Sequence, residues 1–170
     1  MYVRGPGINA GTVISQIGGN VDVAPTFLEL AGYAGPTVMD GTSIVPLLST
    51  ASADAQLLAR RQAWSRDAFL VEFTGLSACK DGKRCNDAGN NTYRGLRIYN
   101  SSANLAYVQY TEAADWHYET PYHEELYDMQ KDPYQLQNII TTEKGKAVAA
   151  ELQPRLERAW VCKGKECADV

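Results

Sequence analysis

Four cysteines, Cys79 with Cys85 and Cys162 with Cys167, are the most reactive side chains of this 170-residue sequence. Close cysteine pairs hold a metal, react as thiolates, or close disulfide loops. The pairs are separated by five and four residues, which is not knuckle spacing, and neither histidine lies beside a pair. Lys80, Lys83, Arg84, Lys163 and Lys165 would depress the thiol pKa values if the thiols were free. Two Asn-x-Ser/Thr sequons favour the disulfide reading, since both features belong to an oxidising, exported environment. They make Asn90 (Asn90-Asn91-Thr92) and Asn100 (Asn100-Ser101-Ser102) glycosylation candidates, and Cys79, Cys85, Cys162 and Cys167 disulfide candidates.

Other polar residues offer less chemistry. His117 and His123 flank the aromatic run WHYETPYHEE, where Trp116, Tyr118 and Tyr122 would either stack on sugar rings or cover a sheet face. Histidines in exposed loops commonly titrate without a task, and that plain reading outweighs a site. Asp128 and Asp132, four apart, suit turn and capping roles better than a metal, with Pro133 next to Asp132. Asp22 sits where a helix N-cap belongs, which outweighs a catalytic reading. Arg94 and Arg97 on one strand would point to opposite faces, so they form no two-pronged anion clamp.

The elements that would position these residues fall into two groups. Asn20 to Gly32, NVDVAPTFLELAG, reads as a helix over 22–31, with Pro25 in its first turn and Gly32 as a left-handed terminator. Val23, Phe27, Leu30 and Ala31 form its apolar stripe. TVISQIG before it reads as extended, and Gly35 to Thr50 as a punctuated loop in which Ser43 starts a short SIVPLL helix. Ser52 to Arg66 is a helix or a linker. Beyond it the period changes to two: 68–74, 93–99, 105–111 and 124–129 read as strands, with Asn100 to Asn104 a hairpin connection. Residues 144–161 read as a closing helix with Val148, Leu152, Leu156 and Ala159 on one face, and Pro154 either bends it or marks its start.

The expected fold is therefore an α/β fragment, the end of a larger sheet, followed by a small α+β subdomain: an antiparallel sheet of about four strands with a C-terminal helix. The boundaries expected are 1–50, a linker over 51–66, and 67–170. A net charge of −4 argues against nucleic acid or an anionic membrane as partner. No apolar run approaches the length of a membrane span. The opening MYVRGPGINAG lacks the pattern of a signal peptide, so exported features without an export signal lead us to expect that the N-terminus is missing.

Three patterns in order, RGPGI with NVDVAPTFLELAGY and MDGTSIVPLL, then NNTYRGLRI, then ELYDMQKDPYQLQN, resemble the C-terminal third of sulfatases of the alkaline-phosphatase-like superfamily. NNTY and the terminal Cys-x4-Cys are most similar to N-acetylglucosamine-6-sulfatases and secreted arylsulfatases. The resemblance also favours the disulfides, and implies a sulfuric ester hydrolase acting on sulfated glycans or aryl sulfates, secreted or lysosomal/vacuolar. It implies Ca²⁺ and a formylglycine made from cysteine in a Cys-x-Pro-Ser-Arg context. None of the four cysteines has that context, and the family's metal-site and sulfate-contacting residues belong to segments before RGPGI. So no catalytic or metal residue is assigned here, no cofactor is held by this chain, and the chain alone is expected to be inactive. Its partner would be the remainder of the catalytic domain. The C-terminal subdomain of the family helps shape the substrate pocket, which makes His117, His123 and Trp116 possible pocket residues. The alternative is a non-catalytic glycan-binding or structural module using 116–122. A phosphatase or phosphodiesterase of the same superfamily shares the sheet, but ELYDMQKDPYQLQN is typical of sulfatases.

Overall fold

A computed structural model describes residues 1–33, 38–48, 54–75, 91–112, 115 and 117–169. Two compact units result: Met1–Asp67 with Cys162–Val170, and Ala68–Val161.

In the first unit a 3-10 turn, Asn20–Asp22, leads into α1, Val23–Leu30. Gly32, at φ 78°, ends it. The Gly32 N–H donates to the Glu29 carbonyl and the Tyr33 N–H to the Leu28 carbonyl, each at 2.9 Å, the paired bonds of a Schellman ending. Two short helices follow, α2 (Val45–Leu48) and α3 (Ala55–Gln62), and α3 occupies most of the segment that read as helix or linker. Asp54 caps α3, its Oδ1 accepting from Gln56 N at 2.8 Å. Ile44, Leu47 and Leu48 form a small core against which Ile8, Ile14 and Trp64 pack.

Three expectations for this unit need correction. The extended stretch before α1 forms no strand among the described residues. Phe27 and Leu30 lie 66% and 64% exposed, so the predicted stripe is not the buried side of α1. That side carries Asp22 and Thr26, because the loop that covers the helix is tied to it by hydrogen bonds rather than by apolar contact. And the Asp22 side chain does not cap α1, since other donors claim its carboxylate.

The second unit is a four-stranded antiparallel sheet in the order β1-β2-β3-β4, with β1 Ala68–Phe73, β2 Thr92–Tyr99, β3 Asn104–Thr111 and β4 His123–Asp128. Strand pairing fixes which side chains share a face: Leu96 lies opposite Tyr107 and Tyr107 opposite Leu126. The helix α4, Glu143–Val161, packs on β1 and β2, burying Gly145, Ala149, Leu156 and Ala159, with Val148 and Leu152 half-buried beside them. The helix continues through Pro154, which neither starts it nor ends it and is exposed. The Asp132-Pro133 segment forms a turn instead of the expected capped helical turn. Gln135 sits at φ 56°, and Asp132 Oδ2 accepts from Gln137 N at 2.8 Å. Among the described residues no helix is long and apolar enough to cross a membrane.

Two substitutions in α4 separate packing from propensity. A Cβ on Gly145 would lie 1.8 Å from the Ile139 carbonyl oxygen, so Gly145→Ala destabilises this unit despite alanine's better helix propensity, by roughly 1–3 kcal/mol. Pro154→Ala restores a helical N–H at an exposed position and stabilises it by roughly 1–3 kcal/mol. Urea unfolding of both variants, followed by circular dichroism, gives the two signs.

Candidate functional site

The sheet positions two polar arrangements on opposite faces. Arg94 is in phase with Leu96 and Ile98, on the face that α4 covers. Its guanidinium lies 4.4 Å from the centroid of Tyr118 and 5.1 Å from that of Trp160, and its Nε and Nη2 donate to Gln109 Oε1 at 3.0 and 2.9 Å. Gln109 Nε2 in turn donates to Tyr107 Oη and Glu124 Oε1, and the Tyr107 hydroxyl donates to Glu124 Oε1 at 2.7 Å. Burial lowers the Arg94 pKa, and burial together with the Glu124 bond raises that of Tyr107. Tyr118 is pushed up to about 12, chiefly by burial. This closed network is a satisfied core, so Tyr118 is not available for stacking on a ligand.

The opposite face carries a row of rings, one from each strand. Phe73, Tyr93, Tyr110 and His123 follow one another at centroid distances of 5.9, 5.7 and 5.7 Å. Tyr122, exposed, lies 6.5 Å beyond His123. His123 Nε2 sits 3.2 Å from Glu125 Oε1. Tyr110 donates to Glu125 Oε2 at 3.3 Å, and burial followed by the Glu125 charge pushes it up to about 12. Arg97 is on this face as well, its guanidinium donating to the Ile98 and Leu105 carbonyls and to Asn104 Oδ1, so the two strand arginines do point apart.

The structure brings His123 into this row and leaves His117 in the exposed β3–β4 connection. Trp116 lies outside the described residues, as do Cys79, Cys85 and Asn90. That connection is organised by Asp115, which accepts from Thr111 Oγ1, Glu119 N, Thr120 N and Thr120 Oγ1. These bonds, led by the one from Thr120 N, pull its pKa down to about 2. Asp128 and Asp132 hold turns: Asp128 binds Lys131 at 2.8 Å and Gln130 N at 3.2 Å. Cys162 and Cys167 form a disulfide with a Cα–Cα distance of 5.3 Å. Chemically the row can stack on a flat apolar surface, with His123 and the exposed Tyr122 at its end.

In the first unit the feature that sequence reasoning missed is a buried ion pair. Asp22, fully buried, accepts from Gly19 N and Thr42 N at 2.8 Å each, and from Arg66 Nη1 at 2.7 and 2.6 Å. No local pattern links residues 22 and 66; only the fold brings them together. An open cavity of about 210 Å³ beside it is lined by Thr42, Ser43, Pro46, Arg60, Trp64 and Arg66, among others. Both guanidiniums are taken, Arg66 by Asp22 and Arg60 by Glu29 at 2.6 and 2.9 Å, which leaves no uncompensated charge for a sulfate. Among the described residues no three His, Cys, Asp or Glu side chains gather into a metal-binding group.

Known proteins resemble this chain in sequence and fold. A family model described as N-sulphoglucosamine sulphohydrolase, C-terminal, matches residues 1–161. The chain is 30% identical, over 98% of its length, to an N-acetylglucosamine-6-sulfatase of Bos taurus, and covers 30% of that protein. It is 33% identical over 98% of its length to an arylsulfatase of Volvox carteri, covering 25% of it. A solved structure of a protein in complex with its substrate D-glucosamine-2-N,6-O-disulfate aligns with 88% of this chain and 24% of that one, at TM-score 0.55 and 23% identity, a likeness of fold. The chain thus spans under a third of the length of these curated relatives.

Two tests follow. Asp22→Ala strands the Arg66 charge in a buried site and destabilises the first unit by roughly 3–5 kcal/mol, whereas Glu29→Ala, breaking an exposed pair, costs under about 1 kcal/mol. Trp64 fluorescence during urea unfolding, in a Trp116→Phe/Trp160→Phe background, reads both. Tyr110 and Tyr118 lose their protons near pH 10 when unfolded but near pH 12 when folded, so the unfolded chain binds fewer protons in between. The stabilising contribution of these two tyrosines to the second unit is therefore full below pH 10 and is lost from pH 10 to 12. Urea midpoints across that window, compared with Tyr110→Phe, show the loss and its reduction.

Proposed function

The chain belongs to the sulfatase family as its C-terminal portion, and from that premise we propose that it completes an enzyme hydrolysing sulfate esters of glycans, N-acetylglucosamine 6-sulfate among them. The observation that carries this is the match of the family model along residues 1–161. The relatives named for N-acetylglucosamine-6-sulfatase and arylsulfatase activity support the substrate class.

In this proposal the chain is scaffold and pocket wall, not reaction centre. The family's formylglycine would supply the nucleophile and its Ca²⁺ would screen the ester anion. Among the described residues no three His, Cys, Asp or Glu side chains gather for that metal, and Asp22, the buried carboxylate, is saturated by Arg66, Gly19 and Thr42. No catalytic step is assigned to this chain. The exposed Phe27, Leu30 and Tyr33 would pack on the remainder of the catalytic domain, and His117, His123 and Trp116 would border the substrate. The disulfide favours a secreted or lysosomal setting.

The row Phe73–Tyr93–Tyr110–His123 favours a second reading, a glycan-binding module. One set of measurements separates the two. The isolated chain, assayed on an aryl sulfate with Ca²⁺, gives no turnover, and the transcript upstream of the Met1 codon reads in frame through Cys-x-Pro-Ser-Arg. Turnover by the isolated chain overturns its role as scaffold, and an upstream region without that segment sinks the sulfatase proposal. Micromolar binding of a sulfated glycan to the chain alone, lost in Trp116→Ala or in Tyr122→Ala at the exposed end of the row, selects the module.

A further inference from the structure

Asn100 begins a turn between two paired strands. β2 ends at Tyr99 and β3 starts at Asn104, so Asn100, Ser101 and Ser102 sit at the tip of a hairpin, and all three are exposed. The tip has a defined conformation. The Asn100 N–H donates to the Ala103 carbonyl at 2.8 Å, and Asn100 Oδ1 accepts from Ser102 N and from Ala103 N, each at 2.8 Å. This is an Asx-type turn, in which the side-chain oxygen substitutes for a backbone acceptor. Both of these bonds are accepted by the oxygen, so substitution at Nδ2 removes neither of them.

The other sequon contrasts with it. Thr92, its hydroxyl residue, is fully buried in β2, with Oγ1 accepting from Gly75 N at 3.0 Å. A transferase must read that sequon before the sheet forms. The Asn100 sequon is presented by the folded hairpin as well as by the nascent chain. Modification there also leaves strand register untouched, since the side chain at the tip opposes no partner in the ladder.

We propose that Asn100 carries an N-linked oligosaccharide in the exported protein. The donor is a polyisoprenoid pyrophosphate oligosaccharide, the class used in secretory compartments. Asn100 Nδ2 forms a bond to the anomeric carbon of the first sugar, and the bond from that carbon to the pyrophosphate oxygen breaks. The lipid pyrophosphate leaves with the electron pair, and Nδ2 gives up one proton to a base. This inference rests on export, not on the substrate proposed above, so either can fail without the other.

The test uses the full chain behind a cleavable signal sequence in glycosylating eukaryotic cells, with Asn90→Gln so that Asn100 is the remaining sequon. Lumenal and secreted fractions are both collected, and the Cys162–Cys167 disulfide is mapped to show that the chain entered the lumen. The expected result is a mobility shift of one glycan, removed by peptide N-glycosidase with conversion of Asn100 to aspartate in the mapped peptide. Adding Ser102→Ala abolishes the shift completely while keeping the turn, which uses only the Ser102 backbone N–H. A disulfide-bonded lumenal chain in which Asn100 is unmodified overturns the proposal.

Discussion

A carboxylate with no contact with water cannot stay charged without donors on every side, and Asp22 imposes that requirement on the first unit. Its donors come from three separate pieces of chain: Gly19 just before the helix, Thr42 in the following loop, and Arg66 at the far end of the unit. The same turn of helix adds Thr26, whose hydroxyl donates to the Asp22 carbonyl at 2.6 Å and accepts from Ile44 N at 3.0 Å. Ile44 thereby begins the small apolar cluster of Leu47 and Leu48. Gly41 is the geometric counterpart, because a Cβ there would lie 1.9 Å from the Val21 carbonyl oxygen. With so little apolar area buried, the polar tie sets the position of the loop on the helix.

The second unit solves the opposite problem. Its core is apolar area beneath α4, and the polar residues inside it must find partners among themselves. Arg94 does so with Gln109 and two aromatic faces, and Gln109 passes the chain of bonds to Tyr107 and Glu124. The edge strand β4 is closed in the same economical way. Asn138 Oδ1 accepts from Leu126 N and Ile140 N while Nδ2 donates to the Glu124 carbonyl, and Ile139 N donates to Leu126 O. An exposed edge would otherwise invite pairing with another chain.

These details give residues diagnostic of the family a structural task. In ELYDMQKDPYQLQN the asparagine seals a sheet edge and the aspartates hold turns. In MDGTSIVPLL the glycine permits close approach to Val21 and the serine hydroxyl accepts from Val45 N. Such positions identify a scaffold because backbone geometry leaves few alternative residues. Reaction chemistry can be supplied by other segments held on that scaffold.

What the sequence determined by itself was local and periodic. Alternation over 68–74, 93–99, 105–111 and 124–129 located all four strands to within a residue or so, and the stripe through Leu156 and Ala159 located the closing helix. Gly32 as terminator and the Cys162–Cys167 pair were also legible, because each depends on neighbours a few residues away. The candidate site was less so: His117 and His123 were visible as residues, but the row that ends at His123 exists only through cross-strand register. Tertiary structure alone decided that Arg94 would be buried and that Tyr118 would stack on it rather than on a ligand. It decided, too, that Asp22 would bind Arg66, 44 residues away, instead of capping its own helix. The physical reason is the same in each case. Propensity and period act between near neighbours, whereas a buried charge takes its partner from whatever residue the completed fold places within reach.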